Sequence, residues 1–202
     1  DLSAWQSLDL SRIRNQPLAT VVFDREDAAA GALSGAVNRV WVSLEDLPSY
    51  VPQAFVAAED SRFYSHHGVD VRRIFGALLH DAATLSLSQG ASTITQQLIK
   101  LTHLTSEKTL ARKAQEAYLA LKLEKQMTKD EILEAYLNTV YFGAGAYGVQ
   151  AASRVYFGKD ASQMTLSEVS LLAGVIQSPS RYAPHRNLEG ALQRRAYVLK
   201  AM

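Results

Sequence analysis

The stretch Val51–Gly68, VPQAFVAAEDSRFYSHHG, decides how the chain is read. Pro52 suits the first turn of a helix, where a missing N–H costs nothing. Continued as one helix, the stretch places Phe55, Glu59, Phe63 and His66 at i, i+4, i+8 and i+11, on one face. A carboxylate between two phenyl rings is partly desolvated, which raises its pKa toward the range a general base uses. Arg62, on the same side, opposes this by stabilising the anion, while Asp60 points elsewhere on the wheel. Gly68 fits a helix stop. The plainer reading is a glutamate at the edge of a buried helix, paired to Arg62, since structural ion pairs perturb pKa as well.

Bulk composition sets the limits around this stretch. With 202 residues, 48% of them hydrophobic, the chain suits one domain, or one and a fraction, with a real core. A formal net charge of +1 supplies no field that would direct it to nucleic acid. There is no cysteine, which excludes disulfides, thiolate catalysis and cysteine metal sites but leaves the compartment open. No run reaches the apolar length of a membrane span, and no signal peptide is visible. Beginning at Asp1 without an initiator methionine and ending at Met202 inside a helical pattern, the sequence reads as a piece of a longer protein.

Upstream, residues 1–17 read as a polar lead-in. Leu18–Asp24 (LATVVFD) and Asn38–Leu44 (NRVWVSL) read as strands, paired as a small hairpin across a mobile Ala/Gly-rich loop. Residues 1–48 are thus expected to form a lead-in and β-hairpin, ahead of a helical domain over 49–202. After Leu44 almost every segment reads helical, with no repeat at solenoid periods. Ile74, Ala77, Leu78 and Leu85 form a short apolar stripe, which suits a core helix or, less plainly, a surface element touching lipid.

Gln89–Lys100, QGASTITQQLIK, carries the next signal. Thr93 and Gln96 match a capping box. Thr93, Gln97 and Lys100 line one face at i, i+4 and i+7. Donors gathered at a helix N-terminus, with a lysine up the same face, outline an anion site; a well-capped helix with a polar outer face explains them equally. A long helix follows over Leu104–Gln126, capped by Thr105 or Ser106, with Leu110, Ala114, Ala117 and Leu121 as its buried stripe. Arg112, Glu116, Leu119 and Leu123 form a neighbouring stripe. Arg112 and Lys113 precede Glu116 by four and three residues, a routine surface pair by spacing, or else a second acid held ionised by two cations. Thr128–Glu131 (TKDE) caps a helix through Asn138 with Ile132, Leu133, Tyr136 and Leu137 facing in. Tyr141–Gly148 (YFGAGAYG) lacks the spacing of a phosphate loop and reads as a close-packed turn. Val149–Phe157 reads as a helix stopped by Gly158. Thr165–Glu168 caps an apolar, central helix. Ser178–Pro184 reads as a proline-held loop with Arg181 exposed or facing an anion, and a last helix starts near Leu188.

Four segments match one family in order. EDSRFYSHHG (Glu59–Gly68), GASTITQQ (Gly90–Gln97), RKAQEAYLALKLE (Arg112–Glu124) and KDEILEAYLN (Lys129–Asn138) resemble the successive motifs of the peptidoglycan glycosyltransferases of family 51. LSEVSLLAGVIQSPSRYAP (Leu166–Pro184) resembles the fifth. The resemblance extends over about Val40–Met202, and it suits either a class A penicillin-binding protein or a monofunctional transglycosylase. No SxxK, SxN or KTG set is present, so acyl-transfer chemistry is not expected in this piece. The resemblance implies a mainly α, lysozyme-like, two-lobed helical fold with a small N-terminal β-hairpin and a membrane-facing jaw around residues 71–89. It implies Glu59 as the general base, with Asp60, Phe63 and His66 shaping the acceptor site. Ser92, Thr93, Gln96, Gln97 and Lys100 would line the donor's diphosphate pocket, with Arg112 and Lys113 nearby. Glu116 would be the second essential acid, beside the diphosphate and a divalent cation (Mg or Mn). Leu101 is apolar where many relatives carry Asn.

The implied reaction polymerises lipid II into β-1,4-linked glycan strands for the cell wall, with inversion and release of polyprenyl diphosphate. Inversion needs a base and a stabilised leaving group, not a covalent carboxylate. The implied partners are lipid II, the growing glycan chain, other cell-wall synthesis proteins and moenomycin-type phosphoglycolipid inhibitors, with no nucleic acid. The implied place is the extracytoplasmic face of the cell membrane. Two other readings of the residues exist. A lytic transglycosylase or lysozyme would share the fold and one glutamate but cleave glycan, without need of a cation set. A non-catalytic helical interaction module would explain the capped amphipathic helices but not Glu59 on an apolar stripe.

Overall fold

A computed structural model describes residues 8–18, 20–23, 29–33, 38–76, 92–104 and 109–202. The chain divides into two compact units. One combines Asp1–Arg14 with Glu59–Tyr136, the other Asn15–Ala58 with Leu137–Met202. The described residues are mainly helical, with a two-stranded and a three-stranded sheet.

The first unit begins with the short helix α1 (Ser11–Arg14), whose Ile13 is fully buried. It takes the last residue of α2 (Tyr50–Glu59), a 3-10 turn at Phe63–Ser65, and the helical residues 71–76, α3. Then follow α4 (Ile94–His103), α5 (Leu110–Leu123) and α6 (Lys129–Thr139) as far as Tyr136. Ile94, Leu98 and Ile99 from α4, Leu119 and Leu123 from α5, and Ile132, Leu133 and Tyr136 from α6 are buried. Gly68 fixes how the loop before α3 meets α5. Its φ is +87°, and a Cβ there would lie 2.7 Å from the carbonyl carbon and oxygen of Ala120. Only glycine lets backbone meet backbone so closely.

In the second unit β1 (Thr20–Phe23) pairs antiparallel with β2 (Ala29–Leu33), and β3 (Asn38–Arg39) pairs parallel with β5 (Ala146–Tyr147). β4 (Tyr141–Gly143) completes the second sheet against β5. Asn138 extends this pairing: its amide accepts from Val42 N at 2.9 Å and donates to Val42 O at 2.8 Å. The helices α7 (Val149–Phe157), α8 (Leu166–Val175), α9 (Pro179–Tyr182) and α10 (Leu188–Ala201) supply the rest. Gly158, at φ +70°, stops α7, and the Thr165–Glu168 capping box starts α8. Val169, Leu172, Ala173 and Val175 make α8 the buried helix of this unit, packed on α10.

Several sequence expectations are corrected. The helix read over Val51–Gly68 ends at Glu59, so Phe63 and His66 do not continue its face. The chain turns there because Asp60 leaves the helix to bind the start of α4. Thr20–Phe23 pairs not with residues 38–44 but with the Ala/Gly-rich segment read as a loop, since small side chains do not prevent ladder pairing. Of Asn38–Leu44 only Asn38–Arg39 is strand. The glycine-rich turn at 141–148 contains a short hairpin, and Ser178–Pro184 holds a short helix. The α5 cap is Thr109, with residues 105–108 outside the described set. Its buried stripe is Glu116, Leu119, Ala120 and Leu123, whereas Leu110 is 91% and Leu121 45% exposed. Pairing with Arg112 and Lys113 lets the charged stripe turn inward. Of the jaw expected around 71–89, residues 77–89 lie outside the described set, with Leu78 and Leu85 among them.

Candidate active site

All the candidate residues lie in the first unit. Glu59 ends α2, and its Oε2 accepts from the Gln97 side-chain amide at 2.9 Å. The other end of that amide accepts from the Tyr136 hydroxyl at 3.1 Å. Tyr136 is fully buried; burial, then the charges of Glu59 and Asp60, push its hydroxyl well above the ordinary tyrosine value. It therefore stays a neutral donor, which fixes which way round the Gln97 amide sits. This relay positions a carboxylate without placing a proton on it.

Asp60 is 1% exposed. Its Oδ2 accepts from the first backbone N–H of α4, Ile94, at 3.0 Å and faces His66 Nε2 at 2.9 Å. An anion at a helix start is favoured by the free N–H groups and the dipole. Phe63 is fully buried, edge-on to the His66 ring at 6.2 Å between centroids. Lys129 Nζ lies 4.4 Å from the centre of the Phe63 ring and 2.8 Å from Glu124, which also accepts from Thr95. Phe63 and His66 are thus held by packing, although not on the helical face expected for them. Arg62, expected beside Glu59, is committed to Asp70 through Nε at 2.9 Å and a second, shorter bond.

The capping box at the start of α4 is present in full: Gln96 N donates to Thr93 Oγ1, and Thr93 N to Gln96 Oε1, each at 3.1 Å. Thr93 also donates to Gly68 O at 2.6 Å. Thr93 and Gln96 are 0% and 2% exposed. Their polar atoms hold the helix in place, and the N–H groups of Ile94 and Gln96 already have partners. Most of the anion cradle outlined by sequence is therefore filled from within the chain. Lys100 is exposed, one turn beyond Gln97.

A second cluster sits beside this helix start. Lys113 Nζ donates to Ser92 Oγ at 2.8 Å and forms a close ion pair with Glu116. Arg112 Nη1 lies 3.6 Å from the other Glu116 oxygen. Glu116 is 2% exposed, and Lys113 keeps about half of its side chain in solvent. A carboxylate facing two cations directs them and neutralises one of them. The same pairing bears on the divalent cation expected at Glu116. Among the described residues no group of three or more His, Asp or Glu side chains is placed to hold a metal. Both Glu116 oxygens face cations, so this donor set does not fit a metal held by the protein.

Sequence reasoning missed four contributors. Tyr136 was read only as core, although a buried hydroxyl needs a partner. Glu124 and Lys129 carry no spacing signal toward Phe63. Arg73 donates to the Glu59 carbonyl at 2.5 Å, fourteen residues back, and nothing local announces it.

Residues 26–202 match the family model described as Transglycosylase. Penicillin-binding protein 2D of Bacillus subtilis (strain 168) is 44% identical over 186 residues, covering 92% of this chain and 27% of that protein. Penicillin-binding protein 1A of Escherichia coli (strain K12) is 48% identical over 168 residues, covering 83% of this chain and 20% of that protein. The chain therefore spans 20–27% of the length of these relatives. A crystal structure of penicillin-binding protein 1A from Haemophilus influenzae aligns with 93% of this chain and 18% of that one, at 24% identity and a TM-score of 0.47.

Proposed function

The chain belongs to the transglycosylase family, and on that premise we propose that it is a peptidoglycan glycosyltransferase that polymerises lipid II. Glu59 takes the proton from the acceptor sugar's 4-hydroxyl. That oxygen attacks the anomeric carbon of the donor, the bond to the diphosphate breaks, and the α-linkage becomes β in one inversion. Lys113, Arg112 and Lys100 meet the charge that gathers on the departing polyprenyl diphosphate. A divalent cation would have to arrive with that diphosphate, because Glu116 is already paired; no step here depends on one. The observation that carries the reading is the division of labour around α4. One carboxylate, Glu59, is oriented by the neutral Gln97–Tyr136 relay, while the other, Glu116, is committed to two cations.

The partners that follow are lipid II, the growing glycan and, through the same diphosphate chemistry, moenomycin-type inhibitors. The place that follows is the outer face of the cytoplasmic membrane, near other cell-wall synthesis proteins. Among the described residues no helix is long and apolar enough to cross a membrane. Val71 and Phe75 on α3, 59% and 63% exposed, support contact with the lipid surface. Incubation of the protein with lipid II in liposomes tests this directly. Long β-1,4 glycan and released polyprenyl diphosphate are expected. Cleavage of preformed glycan without reaction of lipid II would replace the reading with a lytic enzyme. No reaction on either would leave an interaction module.

A further inference from the structure

Arg73 reaches the site, yet the reaction above does not use it. It belongs to the first turn of α3, where Asp70 accepts its backbone N–H at 2.9 Å and so caps the helix. Its side chain runs back to the active site. Nη1 donates to the carbonyl of Glu59 at 2.5 Å and lies 4.0 Å from Asp60 Oδ1. That oxygen is buried and accepts no hydrogen bond. A buried carboxylate with one bare oxygen is a costly neighbour for a second carboxylate, because like charges in a dry site oppose each other's ionisation.

Around the two acids stand His66 on Asp60, Tyr136 and Gln97 on the Glu59 side, and the Arg62–Asp70 pair at the base of α3. Arg62 is committed to Asp70, and Tyr136 is neutral. Arg73 is the guanidinium that bridges the two adjacent residues.

We propose that Arg73 is a positioning residue for the glycosyl-transfer reaction: it anchors the carbonyl of the residue bearing the base and offsets the charge of Asp60, so that Glu59 is ionised and aimed at working pH. This rests on the function proposed above. It ties the first turn of α3 to the base, so the two move as one piece. A purely structural clamp would lower stability when removed but would leave the pH dependence of the remaining activity unchanged.

The test compares the whole chain with Arg73→Gln and Arg73→Lys. Two readouts are followed: the titration of the Glu59 carboxyl by carbon-13 NMR, which needs no substrate, and the pH profile of kcat/KM on lipid II. In Arg73→Gln the Glu59 titration and the acid limb of the profile are both expected to move up together, because loss of the cation leaves the neighbouring Asp60 charge unopposed. Arg73→Lys, which keeps the charge, is expected to restore most of that displacement. An unmoved titration in Arg73→Gln overturns the proposal whether or not the protein polymerises lipid II. A moved titration with an unmoved acid limb overturns the catalytic part of it. A wild-type protein that forms no glycan overturns the proposed function instead, and the Glu59 titration then decides by itself whether Arg73 couples to that residue.

Discussion

Replacing Gly68 by alanine is a change of one methyl group whose cost can be assembled from the structure. The residue sits at φ +87°, a region an L side chain occupies at a cost of roughly 1–2 kcal/mol. The new Cβ would then lie 2.7 Å from Ala120 C and O and 2.8 Å from Leu121 N. These are backbone atoms in the last turn of α5, so no rotamer change relieves the contact, and overpacking of this kind costs about 1–3 kcal/mol. The sum is about 2–5 kcal/mol. For a chain of this size that is a fall in melting temperature of roughly 10 °C. Two alanine substitutions separate the contributions. Gly145 has φ +75° with nothing within 4 Å of a built Cβ, so it carries the backbone strain alone. Gly76 has neither strain nor contact and is expected to be neutral or slightly stabilised. Thermal unfolding followed by circular dichroism compares the three. If Gly68→Ala melted with Gly145→Ala, within error, the close approach to α5 would carry no energy and this reasoning would fail. The damage is also expected to reach activity, since Thr93 at the α4 cap donates to the Gly68 carbonyl.

Glu59→Gln keeps the Gln97 contact but removes the base. Polymerisation is expected to fall by roughly 100-fold or more with an unchanged melting temperature, and near wild-type turnover would remove Glu59 from that role. Lys100→Ala and Arg112→Ala are each expected to weaken binding of a moenomycin-type phosphoglycolipid in calorimetry; unchanged affinity in both would move the diphosphate site elsewhere. Acid stability follows from three carboxyls. Burial opposes the ionisation of Asp70, but the Arg62 bonds and the Arg73 N–H outweigh it and leave the group below the usual carboxylate range. The Thr128 backbone N–H, then its hydroxyl, lowers Glu131, and for Glu168 the bonds from Lys159 and Thr165 overcome burial. Each folded value lies below its unfolded one, 3.8 for Asp and 4.5 for Glu. Their stabilisation is therefore complete above about pH 5 and drains away as pH falls through the folded values. Melting temperatures flat from pH 5 to 8 and falling below pH 4 are expected; for Asp70→Asn the acid side of that curve would be shallower.

What the sequence made legible was local chemistry. The boxes Thr93–Gln96 and Thr165–Glu168 need only four residues each, and the stop at Gly158 needs one. The spacing of Arg112 and Lys113 to Glu116 announced their pairing for the same reason. Which stripe of α5 faces inward was not legible, because pairing made Glu116 cheaper to bury than periodicity alone allowed. The helical period also ran on past Glu59. What interrupts it is Asp60 reaching Ile94, thirty-four residues away. A pattern search along the chain has no access to a partner at that distance. The strand partner of Thr20–Phe23 failed to show for a different cause: Ala29–Leu33 is close in sequence, but its small side chains carry no strand pattern. The reach of Arg73 back to the Glu59 carbonyl follows from a turn of the chain that periodicity does not announce.

The self-sealed start of α4 has a consequence for what the site can distinguish. Backbone donors at a helix end are rigid and hold an anion of one shape at fixed distances. Here the N–H groups of Ile94 and Gln96 are already occupied by Asp60 and Thr93. On the function proposed above, an incoming phosphate ester would therefore be met by the long, partly solvated side chains of Lys100, Arg112 and Lys113. Such groups follow a ligand as it slides, accept several headgroup geometries, and lose most of their grip as salt shortens the reach of charge to about 8 Å at physiological ionic strength. Affinity for a diphosphate should then fall with added salt far more steeply than at a backbone cradle, and substrate choice should rest on the sugar and the tail rather than on the anion between them.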